Sequence, residues 1–447
     1  MQQRGVRYGD RRADRERTAG GAAMNQPDTA PSTDAASAPL QQLLGIAVVL
    51  GAAGAVAALA FVAVVSAGQG VLWPDSIDPS AFSGSIRIPI IMTLGGLLVG
   101  VIHAMVSSAG EENVFVALAT GQINAKAIPG GVLIALVTLI SGFSLGPEVP
   151  TGMAAAGLAA LASSRWLFLR RNARFAMSVA ISGAWGGLFT SPFTAVLLNV
   201  ELTFERRVVR WVTLAADATA AIVGFAIFFA VKAGWSELLR LLELPAYSLG
   251  LPELAIAAGL GLLGAVLGTL FKLSMVATRK LAAPLADRPV LRCTLAGLVL
   301  GLMAMALPLT LFLGTEGLVD VASEPATLGA GLIVASVIAK IIATTGALSF
   351  GFVGGPIFPL LFVGGGMGAV MHLAIDDIPL ALAVTAMMAA VPSAVIPVPL
   401  SISTLTILIA GVAPSEATAV FTAAFVGLIA GRLIEAALPA PKTPAAP

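Results

Sequence analysis

Gly146-Pro147-Glu148-Val149-Pro150 sets one carboxylate between two prolines and a glycine, inside a stretch otherwise almost free of charge. Apolar runs flank it on both sides, which predicts that Glu148 lies at bilayer depth where a helix is broken. An ionisable group at that depth is costly and marks an ion or proton pathway. A helix beginning there leaves backbone N–H groups without intrahelical partners, and that positive end attracts anions. A titratable acid and an anion-seeking helix start are thus expected side by side.

The same device recurs downstream. Ser141 to Pro150 leads into a small-residue helix expected over 151–164, and Gly351-Phe-Val-Gly-Gly-Pro-Ile-Phe-Pro359 leads into a Gly-rich apolar helix expected over 360–373. Each is followed by a second proline-led start, at Phe189-Thr-Ser-Pro192 and at Ile396-Pro-Val-Pro399. Pro150 and Pro359 lie 209 residues apart, and Pro192 and Pro399 lie 207 apart. Two breaks at nearly constant offset predict an internal repeat. Proline is favoured at the first helical position because its missing N–H has no partner there anyway. Pro150, Pro192, Pro359 and Pro399 are therefore read as four helix starts, paired between the halves. Paired broken helices point to a site near the bilayer midplane. Converging starts bind an anion through backbone N–H groups alone, without a lysine or arginine that would hold it too tightly for rapid passage.

Composition sets the class. The 447 residues are 57% hydrophobic and 11% charged, with a mean hydropathy of +0.95. A soluble domain carries about 25% charged residues, so the chain reads as an all-α polytopic membrane protein. Apolar runs of spanning or near-spanning length lie near 41–66, 87–106, 130–145, 174–190, 210–233, 250–275, 289–312, 328–345, 380–396 and 415–437. Several fall short of the roughly 20 residues a span needs, and short broken segments persist only inside protein or along a watery cavity. A net charge of +1 gives no reason to expect nucleic acid as a partner. One cysteine, Cys293, excludes an internal disulfide and a cysteine metal cluster. His103 and His372 have no carboxylate or second histidine at ligand spacing, so both are read as packing or interfacial residues and no metal or other cofactor is expected.

Residues 1–40 form an Arg-rich, then Pro/Ser/Thr/Ala-rich tail, read as disordered and, by the positive-inside tendency, cytoplasmic. Residues 41–438 are read as one transmembrane domain, with a first repeat over about 85–235 and a second over about 250–438. Residues 439–447 make a short tail, with no soluble regulatory domain expected. The remaining basic clusters are read as solvated loops and interfacial anchors.

These motifs resemble the CLC family of chloride channels and chloride/proton antiporters, over roughly residues 85–435. The family's glycine–basic–glutamate–glycine–proline signature falls on Gly146 to Pro150, with Pro147 and Val149 departing from it. The resemblance implies that Glu148 is the gate and proton acceptor, its carboxylate taking an anion position when ionised. Glycine-x-phenylalanine-x-proline falls near Gly355-Pro356-Ile357-Phe358-Pro359, making Ile357 and Phe358 the candidate amide donors. The glycine–serine–glycine–isoleucine–proline signature matches poorly: Ala109, beside Gly110, stands where the family has its selecting serine. The central tyrosine is absent too, since Tyr8 and Tyr247 are the only tyrosines. Thr190 to Glu201 resembles the family helix that ends in an inner proton-transfer glutamate. Glu201 lies nine residues after Pro192, about 13–14 Å along a helix.

Together the resemblance implies an inverted-repeat fold of broken, tilted helices and a homodimer in a membrane, expected to be the bacterial inner membrane. The expected function is anion transport, chloride by default, coupled to protons through Glu148 and Glu201. Anion-site residues are expected at Ala109, Gly110, Gly146, Val149, Gly355, Ile357 and Phe358. Val149 retains an N–H, but lacks glycine's dihedral freedom. A passive channel, or transport of fluoride or nitrate, stays open. Glu111 and Glu112 read equally as vestibule residues or a solvated loop. An intramembrane enzyme is disfavoured because neither histidine has the neighbours a metalloprotease or serine protease needs, and a scaffold requires no acid at a helix break.

Overall fold

The computed structural model describes residues 38–73, 84–106, 114–115, 118, 123–203, 211–231 and 241–438. Ala109, Gly110, Glu111 and Glu112 lie outside the described residues, as do both tails beyond 38 and 438. In chain order the helices are α1 Leu40–Leu72, α2 Arg87–Met105, α3 Ile128–Ile140, α4 Glu148–Arg165, α5 Leu167–Arg171, α6 Ala173–Leu188, α7 Pro192–Thr203 and α8 Trp211–Val231. The second half holds α9 Leu251–Ala282, α10 Pro289–Ala306, α11 Thr315–Ser323, α12 Pro325–Leu328, α13 Ala330–Ser349, α14 Ile357–Ala374, α15 Leu380–Val395, α16 Pro399–Ala410 and α17 Ala417–Ala437. Among the described residues eight helices (α1, α2, α8, α9, α10, α13, α14 and α17) are long and apolar enough to cross a membrane. Four shorter apolar helices, α3, α7, α15 and α16, accompany them. Valines 48, 49, 56 and 64 along α1 are exposed, the pattern a lipid-facing helix shows. The result is an all-α polytopic membrane fold.

Helices α6 and α15 are buried along nearly their whole length and form the centres of the two halves. In the first half α1, α4 and α8 pack about α6; in the second α9, α14 and α17 pack about α15. Glycines make these contacts close. A Cβ on Gly183 of α6 would strike the Gly51 backbone of α1, and one on Gly224 of α8 would strike the Gly183 carbonyl. On α14, side chains at Gly364 and Gly368 would strike the backbone at Met387 and Ala383 of α15. The halves meet where α2 packs on α10 and α7 on α16. Gly259-Leu-Gly-Leu-Leu-Gly264 on α9 packs within the chain, Gly261 against α17 and Gly264 against Ala390 of α15. Both histidines bond to backbone carbonyls, His103 Nε2 at 2.8 Å to Gly351 and His372 Nδ1 at 2.7 Å to Ile378.

Two helix starts differ from the sequence expectation. α4 begins at Glu148 and α14 at Ile357, so Pro150 and Pro359 stand third in their helices rather than first. The physical reason lies upstream: Pro147 and Pro356 already hold helical dihedrals as N-cap residues, with φ −81° and −92°. Pro192 and Pro399 do open α7 and α16.

Candidate anion and proton site

The loops before α4 and α14 run antiparallel and touch once. Gly146 N–H donates to Gly355 C=O at 2.7 Å, and Gly355 N–H donates to Gly146 C=O at 2.8 Å. This two-bond bridge sets the two half-chains start to start at one point. Both starts carry the same pattern, Gly-Pro-x-x-Pro, at 146–150 and at 355–359. The prolines at each N-cap and third position have no N–H. The next donors, Thr151 and Leu360, bond back to Pro147 and Pro356 at 3.0 Å each. Each helix is left with two adjacent donors free of intrahelical partners: Glu148 and Val149 on α4, Ile357 and Phe358 on α14.

Glu148 projects its carboxylate onto the opposite start. Ile357 N–H donates to Glu148 Oε1 at 2.8 Å, and the side chain is fully buried. Oε2 is also buried but accepts no hydrogen bond from the protein. The carboxylate lies in a slot whose walls are the two bridging glycines. A Cβ on Gly355 would overlap Oε1 and Cδ, and one on Gly146 would overlap Oε2. The sequence expectation that Gly146 and Gly355 bind an anion is corrected here: their N–H groups are spent on each other, and their contribution is space. Val149 sits in the first helical turn, and the described non-glycine residues with positive φ are Thr190 and Phe312, so its missing glycine freedom is not called upon. Trp185 of α6 anchors the start of α4, its Nε1 donating to the Glu148 carbonyl at 2.9 Å. Phe358 stacks on Phe189 with centroids 6.1 Å apart.

The other two starts do not join this point. Ser191 Oγ caps α7 by accepting Thr194 N–H at 3.1 Å, a standard N-cap. At α16 the first N–H groups meet Glu201, in the last turn of α7. Its carboxylate accepts Leu400 N–H at 2.8 Å and Ser401 N–H at 2.9 Å, and Ser401 Oγ bonds to it as well. Four converging anion-seeking starts thus become two that meet at Glu148 and two already capped. Each candidate acid occupies a positive helix end of the other half.

Two buried ionisable residues inside apolar helices escaped the sequence reading, Asp217 within α8 and Lys340 within α13. Their signal was present: a lone charged side chain inside an apolar run. Asp217 Oδ1 accepts Ser178 Oγ–H at 2.8 Å, and Asn199 Nδ2 donates to Ser178 Oγ at 2.7 Å and to Ser182 Oγ at 2.9 Å. This polar ladder climbs α6 toward Trp185 and the start of α4.

An acid buried between the joined starts of two half-chains, in a bundle of broken membrane helices, defines a transport protein of the inverted-repeat anion class. Comparison with known proteins agrees. The family model for the voltage gated chloride channel matches residues 96–432, and the chain belongs to that family. It is 30% identical over 352 residues to the "Putative ion-transport protein YfeO" of Salmonella newport (strain SL254), covering 76% of this chain and 82% of that protein. The protein of that name from Salmonella paratyphi A is equally similar, 30% over 352 residues with the same coverage. Among solved structures, a slow cyanobacterial Cl−/H+ antiporter superposes with a TM-score of 0.74 at 18% identity, covering 89% of this chain and 95% of that one. A CLC-type fluoride/proton antiporter gives 0.69 at 18% identity, covering 87% and 96%. At those identities the likeness is one of fold.

Proposed function

We propose that this protein moves a small anion, chloride by default, across a membrane in exchange for protons. Glu148 serves as gate and proton acceptor, and Glu201 as the inner proton-transfer acid. The observation that carries the reading is the Glu148 carboxylate seated on the Ile357 N–H in a slot cut by two glycines. An anion arriving there competes with that carboxylate for the same donors. Two unit charges 4 Å apart repel by about 4 kcal/mol at an effective dielectric of about 20, so ionised Glu148 and the anion do not share the place. Protonation cancels the charge and relieves the unbonded Oε2, and the side chain then withdraws while the anion takes the Ile357 and Phe358 donors. Deprotonation returns the gate.

Glu201 stands at a partly accessible end of α7, and the ladder of Asn199, Ser182 and Ser178 supports a polar path along α6 toward Glu148. The protein is proposed to act as a homodimer in the bacterial inner membrane with its N-terminus in the cytoplasm, as a transporter rather than an enzyme. A passive channel is the second reading. It is favoured by the three bonds that tie Glu201 to the start of α16, since an acid so engaged is slow to carry a proton. Fluoride and nitrate are the competing cargoes, because Ala109 stands where the family's selecting serine would be.

The test is efflux from reconstituted liposomes across a panel of halides and oxyanions at two proton gradients. Glu148→Ala is expected to make flux independent of pH, at the rate the wild type reaches in acid. Proton coupling that survives in that variant removes Glu148 from the mechanism. Vesicles that retain every anion of the panel refute transport altogether.

A further inference from the structure

We infer that Lys340 is a positioning residue for the Glu148 gate, an inference that rests on the role proposed for Glu148. Lys340 lies in the middle of α13, fully buried. Its ammonium group lies within hydrogen-bond reach of four consecutive backbone carbonyls, Leu309 at 3.4 Å, Thr310 at 3.2 Å, Leu311 at 2.9 Å and Phe312 at 3.0 Å, its three N–H groups shared among them. It also lies 5.2 Å from the centroid of the Phe362 ring. Among the described residues no carboxylate pairs with it. A buried ammonium in apolar surroundings is costly, and four carbonyl dipoles plus one aromatic face are what offsets that cost.

Both sets of contacts lead to the gate. Phe312, with φ at +52°, donates its N–H to Gly142 C=O at 3.0 Å, four residues before Gly146. Trp73 meets the Phe312 ring edge-on at 5.3 Å and donates its indole N–H to Ile140 C=O at 3.0 Å. One turn beyond Lys340 on α13, Thr344 Oγ1 pairs with Ser144 Oγ at 3.1 Å. The loop that carries Glu148 into place is therefore tied to α13 directly by Thr344 and indirectly through the carbonyl cage. Phe362, whose ring lies beneath the ammonium, belongs to α14, the helix whose first N–H donates to the Glu148 carboxylate. One side chain thus fixes the donor helix and the acceptor loop relative to each other. Gly314, with φ at +97°, lets the chain turn beside the lysine; a Cβ there would come within 3.0 Å of Lys340 Cε.

A double-mutant cycle in liposomes separates gate positioning from general support, because sites acting through one another are non-additive. In the wild-type background Lys340→Gln, which keeps donors and removes the charge, is expected to raise anion flux at neutral pH about tenfold toward the Glu148→Ala level. In the Glu148→Ala background the same change is expected to alter flux less than about twofold. Lys340→Arg, with its charge and donors retained, is expected to restore flux to within about twofold of wild type. Equal effects in both backgrounds, or no effect in either, overturn the inference. Should Lys340→Gln not fold, Phe362→Leu carries the same cycle, leaving the cage whole and removing the ring beneath the ammonium. A Glu148-dependent rise of at least about twofold supports the inference, and its absence overturns it. If Glu148→Ala itself leaves flux pH-dependent, the gate assignment fails first, which is a separate result.

Discussion

At the scale of single residues, the slot around Glu148 turns two glycines into a selective device. The carboxylate fills the volume a Cβ would need at Gly355, and Gly146 closes the other side. Neither glycine is at positive φ, so alanine is acceptable to the backbone, and the atoms nearest its Cβ belong to Glu148. Gly355→Ala is therefore expected to expel the gate, flattening the pH response of flux toward that of Glu148→Ala. Overpacking of this kind costs about 1–3 kcal/mol, and most of that cost should vanish when Glu148→Ala is added, because the crowding oxygen is gone. Thermal unfolding of the two single variants and the double variant measures this; a cost that persists in the double variant means the alanine clashes with something other than the gate. The sequence made Glu148 easy to find, since an acid between prolines in an apolar run has few other uses. The glycine role was hidden because glycine reads alike as an amide donor, a turn residue or a vacancy, and only the bridge between residues 209 apart decides among them.

Helix starts are the elements that matter, and their geometry follows from where donors are missing. Pro-x-x-Pro at 147–150 and 356–359 leaves two adjacent N–H groups without intrahelical partners on each start, and one of them, on Ile357, meets the Glu148 carboxylate. The four breaks were legible from proline spacing, and the pairing of halves from a constant offset. Occupancy was not legible, because a cap from a distant chain segment leaves no local mark. Nothing near Leu400 announces that Glu201, about 200 residues earlier, supplies its acceptor. This double engagement makes Glu201→Gln informative. Losing a charged cap is expected to lower stability by about 0.5–2 kcal/mol and to stop proton movement while anion flux continues. Ser401→Ala serves as the control, since it removes one bond to the carboxylate and leaves the acid in place. Proton flux that survives Glu201→Gln assigns the residue to capping alone and means that protons reach the site by another path.

At the scale of the whole molecule, the site exists only because two half-chains are held in register, and the seam between them is built of glycine. Gly96-Leu-Leu-Val-Gly100 on α2 faces Gly297-Leu-Val-Leu-Gly301 on α10. A Cβ on Gly96 would strike the Cys293 carbonyl, one on Gly297 the Met92 carbonyl, and one on Gly301 would come within 2.6 Å of Pro89 Cα. Backbones this close gain dispersion contacts that bulkier residues would forfeit, the small-xxx-small logic of membrane helices. In sequence these glycines are four among 48, so nothing sets the seam apart there, while the proline breaks stand out. Lipid gives such helices no hydrophobic reason to associate, so the fit itself must supply the attraction. Gly297→Leu is accordingly expected to be more damaging than a surface leucine, at about 1–3 kcal/mol or more. Because the seam sets the register of Gly146 against Gly355, the variant should also leak anions without regard to pH before it unfolds. Gly259→Leu on α9, where a Cβ meets nothing within 4 Å, is the matched control and should leave unfolding temperature and pH response unchanged. A Gly297→Leu protein that unfolds early but gates normally to the end would show that the bridge holds its own register without the seam.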